Sequence, residues 1–153
     1  MAHLLDTNIV SYILKKNITL EQNLEEVTSL GEEVFISCIT YYEIKRGLVA
    51  VNATKQLADF NIFLRKYEVL FLDDIEIIEQ ACKIHADLKV KGRPIQDADI
   101  LIAATAITRS LILVSNDSDL QRVEGLSLEN WLQTDAEISK MWGRPLSKVH
   151  FLI

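Results

Sequence analysis

The sequence predicts an α/β protein: a three-layer α/β/α sandwich with a central parallel sheet of four to five strands. Three observations lead there. Short apolar runs rich in β-branched and large residues recur along the chain, as strands buried on both faces require. The segments between them carry apolar residues every three or four positions, the period of an amphipathic helix. Strands that alternate with helices pair in parallel through crossovers, which places helices on both faces of the sheet.

In chain order, Leu4-Leu5 forms the first strand and Asp6 ends it. Leu20, Leu24, Val27 and Leu30 share one helical face, and Val34-Phe35-Ile36 forms the second strand. Leu57, Phe60, Leu64 and Tyr67 mark the next helix before a third strand at Val69-Leu70-Phe71-Leu72. Ile77, Ala81, Ile84 and Leu88 repeat the helical spacing. Ile100 to Ile107 is apolar nearly all round, as suits a helix packed on a sheet and covered by other helices. Leu111-Ile112-Leu113-Val114 is the fourth strand, and Leu126-Ser127-Leu128 before Trp131 supplies a fifth. No linker interrupts residues 1–134, which form one domain. The tail 135–153 differs: Met141-Trp142-Gly143-Arg144-Pro145 breaks any helix before the apolar end Val149 to Ile153. It is expected to dock on the domain or at an interface.

The chain has 153 residues, 49% hydrophobic and 25% charged, enough for a single core without disulfides or a structural metal. With 5 Gly and 2 Pro it is neither low-complexity nor disordered. Its longest uncharged apolar stretch is far shorter than the roughly 20 residues that span a bilayer. The start, Met1-Ala2-His3-Leu4-Leu5-Asp6, lacks a basic flank and is cut by an acid, so the expected location is the cytoplasm. Cys38 and Cys82 form no C-x-x-C pair and are expected as buried free thiols. The net charge of −6 argues against a basic surface that wraps nucleic acid. Four of the 22 acids set in one metal pocket leave 18 against 16 Lys+Arg, so a nucleic-acid enzyme stays open.

Ligands of open parallel sheets bind beyond the carboxyl ends of the strands. Asp6 directly follows the first strand, Glu43 lies about two turns past the second, and Asp117 follows the fourth. Asp97 and Asp99 open the apolar helix after Gly92-Arg93-Pro94. Each acid also has a local explanation. Thr40-x-x-Glu43 reads as a capping box, Asp97 as an N-cap, Asp99 as a first-turn acid, and Asp117 or Asp119 as a turn residue. Their convergence at one edge is not explained that way. Clustered carboxylates repel unless a cation offsets them, and all-oxygen ligands favour one or two Mg²⁺ or Mn²⁺ ions. Such ions lower the pKa of an attacking water and clamp a phosphodiester for in-line displacement. His3, His85 and His150 are then structural or surface residues.

Asp6-Thr7-Asn8, Ile39-Thr40-x-x-Glu43 with Gly47, Asp99-Ile100-Leu101-Ile102-Ala103-Ala104, and Leu113-Val114-Ser115-Asn116-Asp117-x-Asp119 occur in that order. The series resembles the PIN-domain ribonucleases, especially VapC-type toxins of bacterial toxin–antitoxin pairs, from about Leu4 to Trp131. The resemblance implies that Asp6, Glu43, Asp99 and Asp117 are the catalytic, metal-binding acids, with Asp97 and Asp119 as alternatives. It also implies that Thr7, Asn8 and Ser115 brace the site. An RNA substrate, a small antitoxin that blocks the cleft and pairing of the domain with itself follow from the same kinship. Lys45, Arg46, Lys91 and Arg93 are candidates to guide the phosphate backbone. The rival readings are a PIN-fold binding or regulatory module without activity, and a stand-alone RNA-processing or DNA nuclease.

Overall fold

The computed structural model describes residues 1–132 and 150–152. The element order is β1 (Ala2–Leu5), α1 (Thr7–Leu14), α2 (Ile18–Ser29), β2 (Glu33–Ser37), α3 (Cys38–Ala50), α4 (Thr54–Lys66) and β3 (Glu68–Leu70). There follow α5 (Ile75–Val90), α6 (Asp97–Thr108), β4 (Ile112–Val114), a 3₁₀ turn (Ser118–Arg122), β5 (Ser127–Glu129) and β6 (His150–Leu152). The strands form one sheet in the order β3-β2-β1-β4-β5-β6. The first five are parallel; β6 runs antiparallel to β5. The expected α/β sandwich is therefore present, with one more strand than expected.

Side chains alternate across a strand, so each strand feeds both faces. Leu4, Leu113 and Leu128 pack with α5 and α6 through Ile77, Ile84, Leu88, Ile102 and Ala103. Leu5, Ile36 and Val114 point the other way, to Ile9, Val10, Leu20, Leu24, Phe60 and Trp131. Full burial of a large apolar side chain contributes roughly 1.5–3 kcal/mol, and these two layers hold the sheet between the helices.

Sequence reading missed α1, whose Ile9, Val10 and Ile13 are buried and whose N-cap is Asp6. It placed β3 among strands buried on both faces. β3 is an edge strand, Val69 and Leu70 are half-buried, and Phe71 is 62% exposed beyond its end. Leu30 is the exposed C-cap of α2 rather than part of its buried face. The cysteines are free thiols, but Cys82 is exposed and Cys38 half-buried, so the expected burial fails. The expectation for the tail 135–153 falls mostly on residues outside the described ones; within it, 150–152 form the edge strand β6.

The order 3-2-1-4-5 reverses at β1, whose neighbours are β2 and β4. Crevices of open parallel sheets form at such a switch point. The register Leu5↔Val114 and Leu5↔Ile36 brings Asp6 and Ser115, just past their strands, level with Ser37, the last residue of β2.

Candidate active site

Asp6 is the first residue after β1, 4% exposed, and it caps α1. Its backbone N–H still belongs to the sheet, bonding the Val114 carbonyl at 3.0 Å. Its carboxylate is held on both sides. Oδ1 accepts from the Thr7 N–H at 2.8 Å, and Oδ2 accepts from Ser115 Oγ at 2.7 Å. Ser115 Oγ in turn accepts the Asp117 N–H at 3.1 Å. Burial pushes the Asp6 carboxyl above its ordinary range, the Ser115 and Thr7 hydrogen bonds pull it back, and the charges of Asp117 and Glu43 push it up again.

Glu43 sits in the second turn of α3, whose N-cap is Ser37, with Ser37 Oγ accepting from the Ile39 N–H at 3.0 Å. Thr40 lies inside the helix, so the capping box read from the sequence is wrong. Glu43 Oε1 accepts from Thr7 Oγ1 at 2.8 Å. A hydroxyl has one proton, so the 3.0 Å contact between Thr7 and the fully buried Thr40 has Thr40 as donor. Thr40, Thr7 and Glu43 thus form a chain of directed hydrogen bonds that aims the carboxylate at the strand ends. Thr40 was missed as a site residue; its spacing of three from Glu43 put both on one helical face.

Gly92, at φ 68°, stops α5, and the chain crosses to Gln96, the N-cap of α6. Asp97 and Asp99 both lie in the first turn, but on different sides. Asp99 lines a hollow of about 460 Å³ with Asp6, Glu43, Asp117 and Asp119, beside Thr7, Asn8 and Gln96. Asp97 lines a different groove with Ile78, Cys82 and His85 between α5 and α6. The Asp99 carboxyl is pushed up to about 6, first by burial and then by the charges of Asp6, Asp117, Glu43 and Asp119. Five acids therefore share one hollow, and none of its lining residues is a Lys or Arg.

The basic candidates divide. Arg46 Nη2 stands 3.9 Å from Glu43 Oε2 and its guanidinium lies over the Tyr42 ring at 5.0 Å. Lys45 bonds the Tyr41 hydroxyl at 3.1 Å. Lys91 is paired with Asp87 and Glu124, and Arg93 is exposed on the α5–α6 loop. His3 is buried, 3.2 Å from Glu129, and His85 is exposed. The side chain of His150 lies outside the described residues.

Among the described residues, no three Asp, Glu, His or Cys side chains are grouped tightly enough to hold an ion as they stand. The donor chemistry nevertheless fits a hard dication. All five acids offer oxygen, and the burial and, after it, the mutual repulsion that raise Asp99 and Asp6 both disfavour bare carboxylates, a bias that a bound cation would offset.

The PIN-domain family model matches residues 3–126. The chain is 36% identical over 127 residues to ribonuclease VapC1 of Methanocaldococcus jannaschii, covering 82% of this chain and 84% of that one. It is 30% identical over 139 residues to ribonuclease VapC2 of Rickettsia felis, covering 86% and 98%. Among solved structures, VapBC2 of Rickettsia felis bound to a promoter DNA fragment superposes with a TM-score of 0.80 at 28% identity, covering 86% of this chain and 99% of that one.

Proposed function

The chain belongs to the PIN-domain family, and we propose that it is a divalent-metal-dependent endoribonuclease, the toxin of a toxin–antitoxin pair. The observation that carries the reading is the convergence of Asp6, Glu43, Asp99, Asp117 and Asp119 on one hollow at the switch point of the sheet. The VapC ribonucleases among its relatives and the VapBC complex among its structural neighbours support the same reading.

Asp6, Glu43, Asp99 and Asp117 are the residues that would hold Mg²⁺ or Mn²⁺, with Asp119 as a further rim ligand. The cation, when bound, supplies Lewis-acid activation of the attacking water and offsets charge on the phosphate. Asp6 is the fixed point of the set, because both its oxygens are already held by Thr7 and Ser115. Thr7 orients Glu43. Asp99, half-exposed, and Asp119, exposed, face the side from which a strand of RNA would enter. Arg46, beside Glu43, is the cation best placed to meet a phosphate, and Asn8, exposed on the hollow, offers an amide to it. Action on RNA places the protein's work in the cytoplasm, and the antitoxin would cover the hollow while two copies of the domain pair.

The test is cleavage of RNA by the protein with Mg²⁺ and by Asp6→Asn. Cleavage by the wild type alone supports the reading, and equal cleavage by both rejects the site. Water as nucleophile also requires that a 2′-deoxy substitution at the cut be tolerated. Metal binding without cleavage of any RNA would favour a regulatory module, and cleavage confined to DNA would favour a DNA nuclease.

A further inference from the structure

A buried carboxylate that the proposed chemistry does not use lies one strand away from the hollow. Glu129 ends β5 and is 3% exposed. Its side chain enters the core on the α1–α4 face. There Oε2 accepts from the Trp131 indole N–H at 2.9 Å and stands 3.2 Å from Nε2 of His3, itself 3% exposed. The His3 and Trp131 rings pack at 5.4 Å and 58°. Burying a carboxyl group costs free energy of desolvation that an apolar residue of the same size would not incur. Packing alone therefore does not account for a glutamate here.

What the glutamate grips is informative. His3 belongs to β1, Trp131 follows β5, and β4 lies between them. The same residue's backbone carbonyl accepts the Ser115 N–H at 3.0 Å, at the point where β4 leaves the sheet. Ser115 Oγ then donates to Asp6 at 2.7 Å. A continuous path of short contacts thus runs from His3 and Trp131 through Glu129 and Ser115 to the most buried acid of the site.

Resting on the metal-dependent reading above, we propose that Glu129 is a positioning residue. By clamping β1 to the segment after β5 it fixes the height at which Ser115 meets Asp6, and so the orientation of the carboxylate that receives the cation. Residues that orient metal ligands through hydrogen bonds typically change metal affinity about 10–100-fold when lost. Glu129 acts one residue further out and belongs at the low end of that range.

The experiment is a double-mutant cycle read by calorimetric Mn²⁺ affinity on the folded proteins, with melting temperature measured alongside. Glu129→Ala should weaken Mn²⁺ binding about 10-fold. Ser115→Ala should weaken it at least as much, and the double variant no more than Ser115→Ala alone. Glu129→Gln keeps an acceptor for Trp131 and offers an amide to His3, and should retain most of the affinity. Wild-type affinity in Glu129→Ala, with only a lower melting temperature, overturns the proposal; so does additivity in the Ser115→Ala background. Where Glu129→Ala does not fold, Trp131→Phe, which removes the indole donor while keeping an aromatic ring in the core, enters the cycle with the same criteria. A wild type that binds no Mn²⁺ defeats the metal-dependent reading itself, and is thereby distinct from a wild type that binds while the cycle shows no coupling.

Discussion

Thr7 Oγ1 donates to Glu43 Oε1 at 2.8 Å across 36 positions of sequence, joining the first turn of α1 to the second turn of α3. The bond lies at the border of the hollow, where water competes with it. Thr7→Val keeps the shape and removes the donor. RNA cleavage should fall about 10–100-fold, as for other losses of a ligand-orienting hydrogen bond, while stability falls by about 1–3 kcal/mol, because the buried Thr40 hydroxyl also loses its acceptor. Steady-state cleavage rates and thermal melts of the two proteins check both halves.

The acids of the hollow are expected to differ in weight. Asp6→Asn, Glu43→Gln, Asp99→Asn and Asp117→Asn should each lower Mg²⁺-dependent cleavage by more than the ~10–100-fold of an outer hydrogen bond. Asp97→Asn should leave the rate close to wild type, since Asp97 lines the groove between α5 and α6 instead. Asp119, already paired with Arg122 at 3.0 Å, should fall between. A rate loss in Asp97→Asn equal to that in Asp99→Asn would contradict the placement.

The Asp99 carboxyl titrates near 6 in the fold against 3.8 for an ordinary aspartate. Between those values the folded chain keeps a proton that the unfolded chain has released. The contribution of Asp99 to stability is therefore present below 3.8 and lost as pH rises through 6. Asp6 is raised in the same direction. Without metal, Asp99→Asn should melt about 2–4 °C above wild type at neutral pH, the effect of ~1 kcal/mol in a chain of this size. Solvent screening of the half-exposed carboxyl keeps the gain modest. The difference should shrink as pH is lowered from 7 to 4, and a difference that grows toward acid pH would exclude the assigned origin.

Removing and restoring the cation should move stability and activity together. Chelation should abolish cleavage, and Mn²⁺ at about 100 times its dissociation constant should stabilise the folded protein by about 2.7 kcal/mol. That corresponds to a rise in melting temperature of roughly 5–10 °C. Asp6→Asn should show little of this rise, which differential scanning fluorimetry can read without any substrate.

Much of the fold was legible because each signal is local. Apolar runs mark β1, β2 and β4 at residues 4–5, 34–36 and 111–114, and the spacing in α2, α4, α5 and α6 sets their buried faces. The edge strand β3 was over-read, since an apolar run looks alike whether or not a neighbour covers it; Phe71 is 62% exposed. The short helix α1 was hidden because the polar Asp6-Thr7-Asn8 supplies its cap and first turn directly after a strand.

By itself, the sequence determined that acids stand at the carboxyl ends of parallel strands, because strand, turn and first helical turn are settled within a few neighbouring residues. Tertiary structure decided which of them meet. Asp97 and Asp99 are two steps apart on a helix that turns about 100° per residue, so they face nearly opposite ways, and only the packing of α6 on the sheet selects Asp99 for the hollow. The same holds for Thr40 with Thr7, and for Glu129 between His3 and Trp131: their partners lie on other elements, and contact exists only once the strands are in register.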